Sequence, residues 1–375
     1  MPPDNDDSDK LNRFQAAFER GQSGDVDSFD IWLDEHGYHA DRVDAETVAD
    51  FFQHHPDEAA NHQAVLDTIG EYIGFATLRS EVHHLAVTGP TGIGKTQLLA
   101  TILHLLPAIN SEIDSRSLDA STFSERVDDQ FTFSDCLSEV QNLHQPVLWI
   151  DDCHLDKRIE VSLTDLHDVI ETGIIITTWT PEGYIFNRER VTDAISPSKE
   201  LQLEPFSKAE TMATIDTTHD VIADDAATFD DEAQERIYDL SHGIPGIVAT
   251  LMLYALRVAF MNDLAPGSQT SVETAGERLY LADAMDRIYD LSEQKMKILR
   301  WILLSRDERG RSPSELVDKL DRDKSTISYH LRTLSDDGFV TSQSEGRRSY
   351  YQVSDQLAPF IQLRLAQDSQ FHAEL

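Results

Sequence analysis

Three short apolar runs stand out along the chain. HHLAVTG (83–89) reads as a buried strand running into glycines. PVLWIDD (146–152) reads as a second, closed by two carboxylates, and TGIIITTW (172–179) as a third, ending in polar residues. TQLLATILHLL (96–106) between them carries a helical period. Apolar strands alternating with helices predict an α/β fold with a parallel sheet. Residues 207–290 read as all-helical, punctuated by Gly243, Pro245 and Gly246.

From residue 291 the pattern changes again. SEQKMKILRWILLS (292–305) is amphipathic, with Met296, Leu299, Ile302 and Leu303 on one face. In SPSELVDKL, Ser312 and Glu315 form a capping box, with Pro313 at the first helical position. KSTISYHLRTLSDDG (324–338) turns Ile327, Leu331 and Leu334 inward and ends on Gly338. It leaves Ser325, Thr326, Ser328, Tyr329, Arg332 and Thr333 facing out. FVTSQSE and SYYQVS then read as two strands around Arg347 and Arg348. Helix, helix–turn–helix and hairpin is the order of a winged helix, a small α+β unit. The expected organisation is an acidic N-terminal region of no assignable chemistry (1–60, its first ten residues disordered) and a sheet core (61–206). A helical lid (207–290) and a winged helix with a C-terminal helix (291–375) follow.

Charge changes this picture. The chain of 375 residues carries 68 Asp+Glu against 31 Lys+Arg, a net of −37. Asp alone numbers 43 and Lys only 9. This acid is spread along the chain rather than run in blocks, and it resembles the surfaces of proteins from salt-loving archaea. Molar salt cuts the screening length to about 3 Å, so such a surface does not exclude nucleic acid. Residues 292–365, moreover, hold 13 basic and 11 acidic side chains, a net of +2. Two cysteines, Cys136 and Cys153, exclude a disulfide scaffold. The start, MPPDNDDSDK, is unlike a secretion signal, and no uninterrupted apolar run reaches 18 residues. The expectation is a cytoplasmic protein with no membrane partner.

Candidate chemistry sits at the strand ends. GPTGIGKT fits G-x-x-x-x-G-K-[ST], a phosphate-binding loop. Gly89, Pro90, Thr91, Gly92, Ile93 and Gly94 would bend the backbone around phosphates. Lys95 would place its charge on them, and Thr96 would ligate Mg²⁺. Asp151 closes the second strand, on what reads as a neighbouring strand, and would face that magnesium. Asp152 would polarise an attacking water, one methylene shorter than the more usual Glu, which favours slow hydrolysis or none. Thr177 and Thr178 are candidates to sense the γ-phosphate. Arg188 and Arg190 are candidates for a finger reaching a neighbouring subunit's nucleotide in a homo-oligomer; surface solvation is the plainer alternative. Histidine pairs at His54–His55 and His83–His84 show no zinc spacing.

Together GPTGIGKT, VLWIDD, IIITTW, LQLEPFSKAE (201–210) and LSHGIPGIVATL (240–251) resemble the AAA+ and STAND branches of P-loop ATPases, over about residues 60–260. The resemblance implies ATP and Mg²⁺ as cofactors, a small helical lid after the sheet, and Pro245 near the adenine. Origin-recognition initiators usually carry a lid arginine where this chain has GIPGIVATL, with no arginine before Arg257. That departure favours a STAND-like switch. Residues 290–355 resemble winged-helix regulators of the ArsR/MarR kind, which implies double-stranded DNA as partner. The outward residues of 324–338 would then enter the major groove, with Arg347 and Arg348 at a wing tip. The expected function is a nucleotide-switched transcriptional regulator. The alternatives are an initiator-like ATPase and a DNA-binding module that holds ATP without hydrolysing it.

Overall fold

The structure is a computed structural model that describes residues 26–58, 60, 62–79, 81–119, 133–156, 158–224, 226–305, 309–346 and 348–368. The acidic start and Arg347 therefore lie outside the described residues.

Five parallel strands form the central sheet: β1 (Val82–Thr88), β2 (Ser115–Asp119), β3 (Val147–Asp151), β4 (Gly173–Trp179) and β5 (Lys199–Gln202). Their order is β2-β3-β4-β1-β5. The three apolar runs are the inner strands. The edges, SRSLD and KELQ, are short and polar, as edge strands commonly are. One expectation needs correcting, because β3 is not next to β1: β4 pairs with both. The loop after β1 and the acid ending β3 are one strand apart.

Alternation along each strand builds a core on each face of the sheet. Leu85, Val87, Trp149, Ile174 and Ile176 face one core. It is shared with Ile69 and Ile73 of α3 (Gln63–Arg79) and with Leu98 and Ile102 of α4 (Lys95–Ile109). Ala86, Leu148, Ile150, Ile175 and Trp179 face the other core. There they meet Leu163 and Leu166 of α6 (Ile159–Val169) and Val191 of α7 (Pro181–Ala194). Among the described residues the core also holds α5 (Phe133–Val140).

Among the described residues two helices precede α3: α1 (Val26–Glu35) and α2 (Ala45–His54), the latter capped by Asp44 on the Thr47 amide. The lid comprises α8 (Lys208–Ile222), α9 (Asp231–Ser241), α10 (Pro245–Asn262) and α11 (Gln269–Arg278). By length and composition alone α10 is apolar enough to cross a membrane. Here it is the lid's central helix, with Ile247, Leu251, Ala255 and Val258 buried. A short α12 (Ala284–Tyr289) leads to the last unit.

That unit is a winged helix: α13 (Glu293–Leu303), α14 (Pro313–Leu320), α15 (Lys324–Asp336), β6 (Val340–Glu345) and β7 (Arg348–Val353). The β6–β7 pair is antiparallel, and Arg311 adds a bridge to Tyr351. The Ser312–Glu315 capping box forms at α14, and Ile327, Leu331 and Leu334 are fully buried. A final helix, α16 (Ala358–Gln367), runs back from the wing to pack against α7 of the sheet core and α12.

Candidate nucleotide site and nucleic-acid interface

The loop between β1 and α4 is shaped by its glycines. Gly94 caps α4 at φ +104°, a conformation that favours glycine. The first amides of α4 have no partner within the helix and carry the positive end of its dipole. Lys95 is 8 % exposed, and its Nζ donates to Gly89 O and Pro90 O, both at 3.0 Å. Burial pulls the Lys95 pKa below its ordinary value; the charges of Asp152, Asp151 and Glu182 pull it back up.

Across β4 stands the acid pair. Thr96 Oγ1 donates to Asp151 Oδ2 at 3.0 Å, so the hydroxyl after the loop and the carboxylate ending β3 do meet. Thr178 Oγ1 donates to the other oxygen, Oδ1, and accepts the Asp152 amide at 2.9 Å. Asp152 takes a left-handed backbone (φ +50°), and its side chain is half exposed at the cavity. One hydroxyl and one carboxylate are hard oxygen donors of the kind Mg²⁺ takes beside nucleotide phosphates. No cluster of three or more His, Cys, Asp or Glu suited to a metal occurs among the described residues. A phosphate-bound magnesium does not need one.

The two threonines part company. Thr178 lies on the sheet face of Ile174 and Ile176 and reaches Asp151. Thr177 lies on the opposite face, buried, where its hydroxyl bonds to His84 Nε2 and Trp179 Nε1, both at 2.9 Å. It does not reach the loop. The two arginines stand apart as well. Arg188 forms a forked pair with Glu200 (2.9 and 3.2 Å), and Arg190 binds Glu160 at 2.5 Å.

A cavity of about 580 Å³ opens beside the loop, a size that suits a small-molecule ligand. Thr91, Gly92, Gly94, Lys95, Thr96 and Asp152 form one wall. Pro245 and Gly246 form the lid side, where α10 begins. The Gly246 amide donates to Gly92 O at 2.9 Å, and a Cβ on Gly246 would lie only 3.0 Å from Gly92 Cα. Lid and loop touch because both are glycine there.

Two parts of the lining were not expected. Ala45, Val48, Ala49 and Phe52 of α2 form an apolar wall, so the region without assigned chemistry covers the site. His62, just before α3, bonds to Ile93 O at 2.8 Å and sits 5.0 Å from the Phe206 ring. A carbonyl only accepts, so Nε2 carries the proton. Burial lowers the His62 pKa, against the pull of Ile93 O and Glu210. No sequence motif marks either part.

The second candidate surface is open. Ser328, Tyr329 and Arg332 are exposed on α15, and Arg348 is exposed at the start of β7. Ser325 and Thr326 also lie there, but both hydroxyls bind the cap residue Asp323, Thr326 at 2.7 Å. Those hydrogen bonds hold the Asp323 carboxyl well below the usual carboxylate range. The two hydroxyls therefore stabilise the start of the helix.

A family model described as a helix-turn-helix domain matches residues 280–343. Comparison with curated proteins returns no match. Among solved structures the chain is similar to the ORC1 protein of Aeropyrum pernix in complex with DNA. Identity is 15 %, coverage is 83 % of this chain and 94 % of that one, and the TM-score is 0.50. It is also similar to the ORC2 protein of the same organism (14 %, 84 % and 96 %, TM-score 0.48). The RuvB Holliday junction branch migration motor of Thermotoga maritima follows (19 %, 79 % and 93 %, TM-score 0.43). The fold is α/β, a P-loop parallel sheet with a helical lid, followed by a winged helix.

Proposed function

We propose that the chain binds ATP with Mg²⁺ in the cavity under the lid, hydrolyses it slowly, and binds double-stranded DNA through α15 and the wing. The observation that carries this reading is the 3.0 Å contact between Thr96 and Asp151 beneath a loop that the lid touches. Lys95 leaves its two carbonyls to neutralise the β- and γ-phosphates, and the start of α4 offers amides to them. Thr96 and Asp151 hold the magnesium, which when bound withdraws charge from the phosphate oxygens. Thr178 fixes the Asp151 carboxylate and the Asp152 amide in one network. Asp152, at the cavity wall, orients water. Arg188 and Arg190 act as fingers only in an assembly that draws them from Glu200 and Glu160.

The output we favour is transcriptional regulation, switched by nucleotide in the STAND manner, in the cytoplasm of a salt-adapted cell. Arg257, the first arginine of the lid helix, lies over the Phe29 ring at 4.5 Å. No arginine lines the cavity among the described residues. A second reading, an initiator-like ATPase, draws on the likeness to the ORC1 protein in complex with DNA. Genome-wide binding separates them: many promoters support the first, and one or a few origins the second. The test of the shared reading is DNA binding with ATP, with ADP and without nucleotide at several salt concentrations, Lys95→Ala beside the wild type. Nucleotide-dependent affinity that vanishes in Lys95→Ala supports it; equal affinity in all states contradicts it. Phosphate release that Asp152→Ala leaves unchanged would favour a binding module that does not hydrolyse ATP.

A further inference from the structure

One polar side chain links the winged helix directly to the phosphate loop. Gln362, on α16, is 2 % exposed. Its Oε1 accepts the Thr91 amide at 2.7 Å, and its Nε2 donates to Glu182 Oε1 at 3.0 Å. The orientation is fixed by chemistry. A backbone N–H only donates, so the oxygen must face Thr91 and the nitrogen must face the carboxylate. Glu182, at the start of α7, is itself 2 % exposed and feels the charge of Lys95.

Around this clasp α16 is held by the parts that would move. Arg364 donates to the carbonyls of Ile288 and Leu291, where the lid gives way to the winged helix. Phe360 meets His242, beside the lid's Gly243–Pro245 turn, at 5.7 Å. Between sheet core and winged helix lies a further cavity of about 420 Å³, lined by Thr91, Glu182, Ile302, Gly310 and Gln352 among others. The seam is thus a buried polar clasp beside open space, an arrangement with room to shift.

Resting on the reading above, we infer that Gln362 couples the phosphate loop to the winged helix, so that nucleotide binding and the placement of the DNA-binding unit form one equilibrium. Lys95 holds the carbonyls of Gly89 and Pro90, and the next residue is the one whose amide Gln362 accepts. Drawing Lys95 onto phosphates releases those carbonyls, re-aims the Thr91 peptide and loosens the clasp. Linkage is reciprocal: what opens the clasp must favour nucleotide by the same factor.

The experiment uses the full chain. ATP–Mg²⁺ is titrated by calorimetry into the wild type, Gln362→Leu and Gln362→Glu. Spin labels on Leu78→Cys and Ser342→Cys report the distance between sheet core and wing. Gln362→Leu keeps the volume without the hydrogen bonds; Gln362→Glu keeps the polarity but sets a carboxylate against Glu182. Both variants are expected to bind ATP about five- to tenfold more tightly, within the usual range of couplings. Without nucleotide, both are expected to show the label distance that the wild type adopts only with ATP. ATP affinity within twofold of wild type in the folded variants, or a wild-type distance that ATP does not move, overturns the coupling alone. If one variant fails to fold, the other decides. No ATP binding by the wild type overturns the proposed function and the coupling with it.

Discussion

Lys95 and Arg332 carry the same charge in opposite settings. Lys95 is 8 % exposed, with two carbonyl acceptors at 3.0 Å and three carboxylates acting on it. The Arg332 side chain is 84 % exposed, and Asp336 lies 3.9 Å away. In the first setting the fold dictates where the charge goes. In the second it dictates only that the charge meets solvent or whatever arrives from solvent. A phosphate loop can therefore be argued atom by atom from its own contacts. The exposed face of α15 yields only residue types, and two of them, Ser325 and Thr326, also bond to the cap residue Asp323.

The largest expected effect tests the closed side. Lys95→Ala should weaken ATP–Mg²⁺ binding on the order of 100-fold, the scale of a desolvated charge-assisted contact, measured by calorimetry. DNA affinity without nucleotide should change by about tenfold at most, the scale of the coupling through Gln362. If DNA affinity falls as far as nucleotide affinity, the two sites are not the separate objects described here. The open side comes next. Arg332→Ala with Arg348→Ala should lower DNA affinity about tenfold or more and reduce the slope of log K against log salt by about 2. An unchanged slope in fluorescence anisotropy would place the DNA elsewhere.

A smaller effect sharpens the boundary between lid and loop. A Cβ on residue 246 would press on Gly92, so Gly246→Ala should cost a few-fold in nucleotide affinity and leave DNA binding without nucleotide alone. Affinity equal to wild type would mean that the lid does not close on the ligand.

A separate effect is on acid sensitivity. Burial pushes the His84 pKa down to about 4 from an ordinary 6.5. At this histidine the folded state therefore binds fewer protons than the unfolded chain. This stability is complete above about pH 6.5 and is lost as pH falls towards 4, by up to about 1.4 kcal/mol per pH unit. Urea melts at pH 7 and pH 5 should show the loss, and His84→Gln should flatten it. A wild type equally stable at both values would contradict the buried, neutral histidine.

What was legible in the sequence follows the same division. The inner strands, the loop and the acid pair announce themselves because burial forces apolar runs and phosphate forces glycines. The β2 and β5 edges are short and polar and resemble loops. The choice between Thr177 and Thr178 depends on strand parity, which a strand buried on both faces does not reveal. His62 and Gln362 reach the loop across 31 and 271 residues of chain, and no local pattern records such contacts. The acid beside β4 rather than beside β1 is a matter of strand order, which three apolar runs leave open.

The central claim is that the loop ahead of Thr96 wraps a triphosphate whose magnesium faces Asp151. A crystal structure of the full chain with Mg²⁺ and a non-hydrolysable ATP analogue tests it most directly. The expected result is phosphates along Gly92–Thr96, the metal on the Thr96 hydroxyl, and Asp151 turned towards it. Nucleotide bound away from that loop, or a metal that ignores both residues, would contradict it.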